Sequence, residues 1–574
     1  MKYSLSLLLF VTIFALICSP LQAWCPSGAP DPTPKPPDEP KDPGDPTPPP
    51  DPGDPSPKKS GGEKEKGGAS AQSLDIWELW WEANKDRYLL VKEIIKIEEE
   101  EKAPDQKEGS VIVSAKNAAE EPLRQLLKKS LKDSDRNIRM VAAAAIGRIA
   151  DPKLTDALLE ALESDKSEDV VDTAVIALGI MGSTKPVDQL WGILINPKNR
   201  AMTRGFAALA LGFTRSNAKT TEMVDLLFKE KDDQVKAAIA VGLGLSGDLK
   251  AIEPLGRVVL TSNKKIFDET TRSFAAVSLG RLKHSDTLNY LLKAIEVKEE
   301  EVRRGAWLAL GELEISDPKL ENLRTNALIK GIGKEDDSQA LGFLLVSLGK
   351  TNSNFASFHL KKQLLDAKNA NVRGFAAIGL GLLRDEKSIQ ALHEGWKKAK
   401  SVSLVNAITI GFGLARETNA VPLILARLKE RKGDRTYQVY AAEAFALMRA
   451  KDAVPTLTEM MKGSANFVDV TRASAIALQM IGENVRPQLE KLMKEGNNFI
   501  VANAALTLGQ IGNKEVLKSL LDSYETMNSF AKQYGMVAMG RIYEQRKVTI
   551  FKEMSINNNY RARTLVYDHA LKIP

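Results

Sequence analysis

Cysteine and histidine are scarce in this chain: two and four among 574 residues. A disulfide scaffold and a Cys/His metal cluster are thereby excluded. Neither sign of charge dominates, since 80 Lys and Arg face 74 Asp and Glu for a net +6. That falls well short of the concentrated basic footprint of a nucleic-acid binder and argues against any partner selected by bulk charge. Aromatic residues reach only 6%, and after the first residues no run is apolar enough to cross a membrane, which takes about 20 apolar residues. What remains is the composition of a large, soluble, aromatic-poor helical protein.

What is present starts with a leader. Lys2, an apolar run from Leu5 to Ile17 and the small Ala23 make a secretory signal peptide over residues 1–23, cleaved after Ala23. Lipid attachment through Cys18 is the less favoured alternative, because Ile17 stands where a lipoprotein signal has a small residue. The expected localisation is therefore export, to a periplasm or beyond. Cleavage leaves Cys25 as the single thiol. Residues 24–73 follow, rich in Pro, Asp and Gly, with Asp-Pro-Gly-Asp-Pro at Asp42 to Pro46 and again at Asp51 to Pro55. Proline lacks an amide donor and fixes φ, so the stretch reads as a disordered, extended stalk.

Residues 74–118 read as a Trp-rich helical cap. Ser73 caps a helix in which Trp77, Trp80 and Trp81 recur near helical spacing. The stripe is expected to pack on the first repeat and shield its open end. Its functional alternative is an exposed aromatic platform for a glycan or peptide.

From residue 119 to 574 the chain repeats itself about 14 times at a period near 32 residues, through segments ending at Gly147, Gly179, Gly212, Gly244, Gly280, Gly311, Gly349, Gly381 and Gly413 and, more loosely, on to His569. Such a period means a solenoid, because one unit cannot bury its apolar face until neighbours stack on it. Each unit holds two helices. The first is typified by Ala453-Val454-Pro455-Thr456-Leu457, with proline near its start, where a missing amide costs nothing. The second is Ala-rich, and a glycine near its end permits close approach to the next unit. The fold class is all-α, an α-solenoid of about 28 repeat helices.

The segments Val302-Arg303-Arg304-Gly305-Ala306, Arg272-Ser273-Phe274-Ala275-Ala276 and Val372-Arg373-Gly374-Phe375-Ala376 resemble HEAT repeats, of the short bacterial type also found in phycobilisome lyases. With its leader, stalk, Trp-rich segment and terminal Asn559-Tyr560-Arg561, the whole chain is similar to a group of bacterial secreted HEAT-repeat proteins. The resemblance implies a protein-binding or scaffolding role.

A cation recurs at equivalent places near the start of nine second helices: Arg139, Arg204, Lys236, Arg272, Arg303, Arg373, Arg472, Lys532 and Arg561, often just after an acid such as Asp133, Asp233, Asp268, Glu300 or Asp469. The favoured reading is a ladder of ion pairs between adjacent units. The functional alternative is a basic stripe for an acidic protein tail or an anionic envelope polymer, multivalent and salt-sensitive. Trp191, Trp307 and Trp396 are expected to pack between helices.

Catalytic constellations are sparse. One His393-Glu394 pair falls short of the several that HEAT-like iron hydroxylases carry. Gly242-Leu243-Gly244-Leu245-Ser246-Gly247 lacks the preceding strand and following lysine of a phosphate loop. No catalytic, metal or cofactor residues are assigned. The expected function is a non-enzymatic exported scaffold presenting a groove to a partner protein. The alternatives are a lyase- or hydroxylase-type enzyme or enzyme subunit, and an envelope-polymer or carbohydrate binder using Trp77, Trp80 and Trp81.

Overall fold

The computed structural model describes residues 77–89 and 120–544, except 352, 354, 464–466 and 513, together with 564, 566 and 570. The chain divides into two units, residues 1–73 and 74–574. The leader, the stalk and the last repeat segment around Arg561 and His569 lie outside the described residues.

The described residues hold 28 α-helices and no strand. Two short ones, Trp77–Asn84 and Asp86–Leu89, precede thirteen helix pairs. The first pair is Glu121–Ser130 with Arg136–Ile149, and the thirteenth is Lys514–Tyr524 with Ser529–Tyr543. Local sequence starts the second helices: Asp135, Asp232, Asp268, Asp337, Asn369, Asp434, Asn497 and Asn528 accept backbone N–H groups of the opening turn.

Second helices pack directly on one another, and the repeat glycines make this possible. A Cβ on Gly381 would lie 2.5 Å from the Gly411 carbonyl oxygen, and one on Gly147 2.9 Å from Ala177 Cα. The first helices flank them and keep a polar side exposed. In Thr220–Lys229, for instance, only Thr220, Met223 and Leu227 are buried. Most second helices are buried nearly all round. Every residue from Leu404 to Leu414 in Val402–Ala415 is buried, and so is every residue from Thr271 to Gly280 in Glu269–Arg281. A helix that is apolar on all sides belongs inside a structure, not along an open groove.

The series of second helices closes on itself. A Cβ on Gly540 of the thirteenth pair would lie 2.9 Å from Ala145 Cα of the first, the same contact that joins neighbours elsewhere. Around it the Ser529 hydroxyl donates to Asp135 (2.7 Å), the Glu120 amide donates to the Tyr543 hydroxyl (3.4 Å), and Lys129 pairs with Glu525 (3.4 Å). Thirteen of the about 14 expected copies lie within the described residues, and the first pair stands beside the thirteenth. Val566, from the expected last copy, instead lies against Gly205 of the third pair.

Candidate functional site

Segment 77–89 sits on the side of the second helices turned away from the first helices. Trp77 lies over Gly374, where a Cβ would fall 2.3 Å from the indole, and 5.3 Å from the Tyr440 ring. Its Nε1 donates to Ser403 Oγ (2.9 Å), and that hydroxyl donates to Glu78 (2.6 Å). Trp81 Nε1 donates to Glu443 (2.7 Å), and the ring stacks on Tyr88 at 6.1 Å. Lys85 bridges Glu82 (2.7 Å) and Glu443 (2.8 Å). Arg87 pairs with Glu312 (3.0 Å), which also takes Lys350 (2.5 Å), and the Lys350 ammonium lies 5.9 Å from the Trp80 ring centroid. Trp77, Trp80 and Trp81 are 0% exposed.

Two expectations for the tryptophans are therefore corrected. They pack on the inner side of the eighth to tenth pairs rather than on the first, and they form no exposed platform. Ordering thirteen residues costs about 13–26 kcal/mol of backbone entropy, against which burying three indoles contributes about 15 kcal/mol. The polar contacts therefore decide how firmly the segment is held.

Electrostatics divides the seat. Burial alone pushes the Glu312 carboxyl up, but Lys350 and Arg87 outweigh it and hold it well below the usual carboxylate range. At Glu443 burial wins over Lys85, so its pKa is raised. Burial also pushes the Tyr88 hydroxyl to about 12.

Arg139, Arg204, Arg272 and Arg303 form the expected ion pairs between adjacent units, Lys236 reaches the next unit through a carbonyl, and Arg373, Arg472 and Lys532 bond within their own pair. Arg139 donates to Asp165 of the second pair (2.7 Å) and to the Asp133 carbonyl (2.9 Å). Arg204 donates to the Leu194 carbonyl (2.8 Å) and pairs with Glu230 of the next unit. Lys236 reaches Asp233 (2.8 Å) and the Ile266 carbonyl (2.9 Å). Arg272 donates to the Val259 carbonyl (3.1 Å) and pairs with Glu299 (3.3 Å). Arg303 binds Glu335 (2.8 Å) and the Lys298 carbonyl (2.8 Å). Arg373 donates to the Leu364 carbonyl (2.8 Å), and Arg472 pairs with Asp469 (2.7 Å). Each guanidinium or ammonium thus ties the end of a first helix, the next unit, or a neighbouring acid.

The remaining singled-out residues are dispersed. Trp307 and Trp396 are buried; Trp307 donates to Glu335 (2.9 Å), and Trp396 lies 5.8 Å from Phe412. Trp191 is half-buried beside Lys219. His393 faces Glu417 at 3.7 Å, while Glu394 turns to Lys361 (2.7 Å) and Lys398 (2.8 Å).

Sequence reasoning missed Glu312, Lys350, Ser403 and Glu443 as a seat. A signal was available. Gly205 and Gly374, which face Val566 and Trp77, stand seven residues before a repeat glycine, so the residue three before that glycine shares their face. That position reads Ala144, Ile176, Leu209, Val241, Val277, Leu308, Val346, Ile378 and Ile410, then Glu443, then Ala477, Leu506 and Val537. Apolar residues there mark a covered inner side, and the one carboxylate among them marks where the segment docks.

A family model for HEAT repeats matches residues 121–211 and 421–506. No curated protein matches the sequence. Among solved structures the chain is similar to the complex of CpcE and CpcF of phycocyanin lyase from Nostoc sp. PCC7120, at 20% identity and a TM-score of 0.26 over 51% of this chain and 100% of that one. It is also similar to human deoxyhypusine hydroxylase in complex with glycerol, at 15% and 0.21 over 51% and 96% of the two chains. An engineered protein matches at 15% and 0.25 over 64% and 100%. The chain carries HEAT repeats, and its architecture is an all-α, HEAT-like solenoid of helix pairs.

Proposed function

We propose that this is an exported, non-enzymatic scaffold that docks a partner protein on the exposed side of its helix pairs. The observation that carries the reading is the nearly all-round burial of most second helices, whose inner side takes segment 77–89. The groove expected there is already filled over the eighth to tenth pairs, so a partner is left the first helices and the loops. The ladder cations are engaged within the fold, which favours a contact that survives high salt over a bare basic stripe. The leader-like residues 1–23 and the Pro-rich residues 24–73 support export and display at a distance.

Phe355 and Phe358, 73% and 69% exposed at the start of helix Ala356–Asp366, supply an aromatic anchor of the kind found at interface centres. The test is affinity capture with tagged full chain from cell-envelope and culture-medium fractions, beside a Phe355→Ser/Phe358→Ser variant. The reading expects a protein that co-purifies in high salt with the parent chain and is lost from the variant at unchanged thermal midpoint. Equal recovery with both chains, or none with the parent, contradicts it.

A further inference from the structure

Segment 77–89 is held the way a ligand is held. Its seats lie 225 to 362 residues further along the chain, at Glu312, Ser403 and Glu443. Basic Lys85 and Arg87 meet acidic Glu443 and Glu312, so the match is one of charge as well as shape. The contacts that close the ring, Gly540 on Ala145, Ser529 with Asp135 and Glu120 with Tyr543, use no residue of the segment. Between Leu89 and Glu121 stand 31 residues, a contour of at most about 110 Å. A tether of that length permits docking at home, and it equally permits docking on a neighbour.

We propose that the segment exchanges between copies of this chain, the seat between Glu312 and Glu443 on one ring taking residues 77–89 of a second copy. The fit of that occupant is the fit already described, because the two segments are identical. Exchange of an identical element needs no new interface. The tether sets the effective concentration of the home segment, and a longer tether lowers it, so crowding of copies shifts occupancy toward the neighbour. The exchange stands whether or not another protein docks on the outer side.

Glu78 and Ser403 meet at 2.6 Å across the seat, and both are only partly buried. The test uses full-length chains with Cys18 and Cys25 replaced by Ser. One carries Glu78→Cys and the other Ser403→Cys. They are mixed at rising concentration and treated with a short bismaleimide. The expected result is a covalent dimer of the two chains that grows with concentration and falls at least tenfold when the Glu78→Cys chain also carries Trp81→Ala. A chain with both cysteines, diluted, links within itself. Three results overturn the proposal: no dimer at any concentration while the doubly substituted chain still links, which fixes the segment in its own ring; a dimer that ignores Trp81→Ala, which marks random collision; or no link even in the doubly substituted chain, which removes the seat.

Discussion

Arg303 shows what a ladder residue does. It donates to the Val297 and Lys298 carbonyls of its own pair and to Glu335 and Asp336 of the next. Arg303→Glu sets a carboxylate against two others and leaves both carbonyls without their donor. A loss of about 2–3 kcal/mol follows, read as a lower urea midpoint, and Arg303→Lys recovers part of it. Glu312 makes a pH prediction. Its pKa is depressed in the folded state by Lys350 and Arg87, so the unfolded chain binds the extra proton as pH falls. The stability it contributes is present above its ordinary value of 4.5 and is lost as pH drops below it. Glu443, raised by burial, works in the opposite sense, contributing stability that is lost as pH rises. The urea midpoint of the parent chain should therefore fall on the acid side of pH 4.5, and Glu312→Gln should flatten that limb. At this scale the ladder was legible in the sequence, because its cation recurs in eight of the thirteen described pairs. Glu312 and Lys350 were not, because they lie in single loops and acquire their role only from a segment more than two hundred residues upstream.

The helices themselves follow from local rules. Period, proline placement and N-cap residues locate nearly every pair, and the repeat glycines declare that second helices approach closely. Helix ends are less regular. Arg449 closes Arg435–Met448 in the left-handed region at φ 51° and is exposed. A side chain there is strained, whereas glycine adopts that conformation without penalty. Arg449→Gly should stabilise by about 0.5–1 kcal/mol, seen as a small rise in thermal midpoint; an unchanged or lower midpoint contradicts the assignment. The helix around Trp77, Trp80 and Trp81 was readable from spacing, and its burial was readable from its composition. Its address was not readable from its own periodicity, and the only mark of it lies in the repeats, at Glu443 among otherwise apolar inner positions.

For the ring as a whole, thirteen pairs that close imply a mean turn of roughly 28° per pair. A repeat period says that units stack, and the small rotation between them decides whether the stack stays open. That rotation arises from many slight differences in side-chain volume, which explains why the sequence shows the solenoid of about 14 copies but not its closure. Closure makes the last repeat glycine as demanding as an internal one. Gly540→Val should cost about 1–3 kcal/mol through its clash with Ala145, comparable to Gly381→Val against Gly411; a terminal unit facing solvent would accept the valine without loss. The most direct test is the distance between nitroxide spin labels at positions 129 and 525, whose native Lys and Glu are exposed and paired across the seam at 3.4 Å. A closed ring predicts one short, narrow distance in the monomer at every dilution. A long or broad distribution, or a short distance that appears only between different chains, would show that the ring is open.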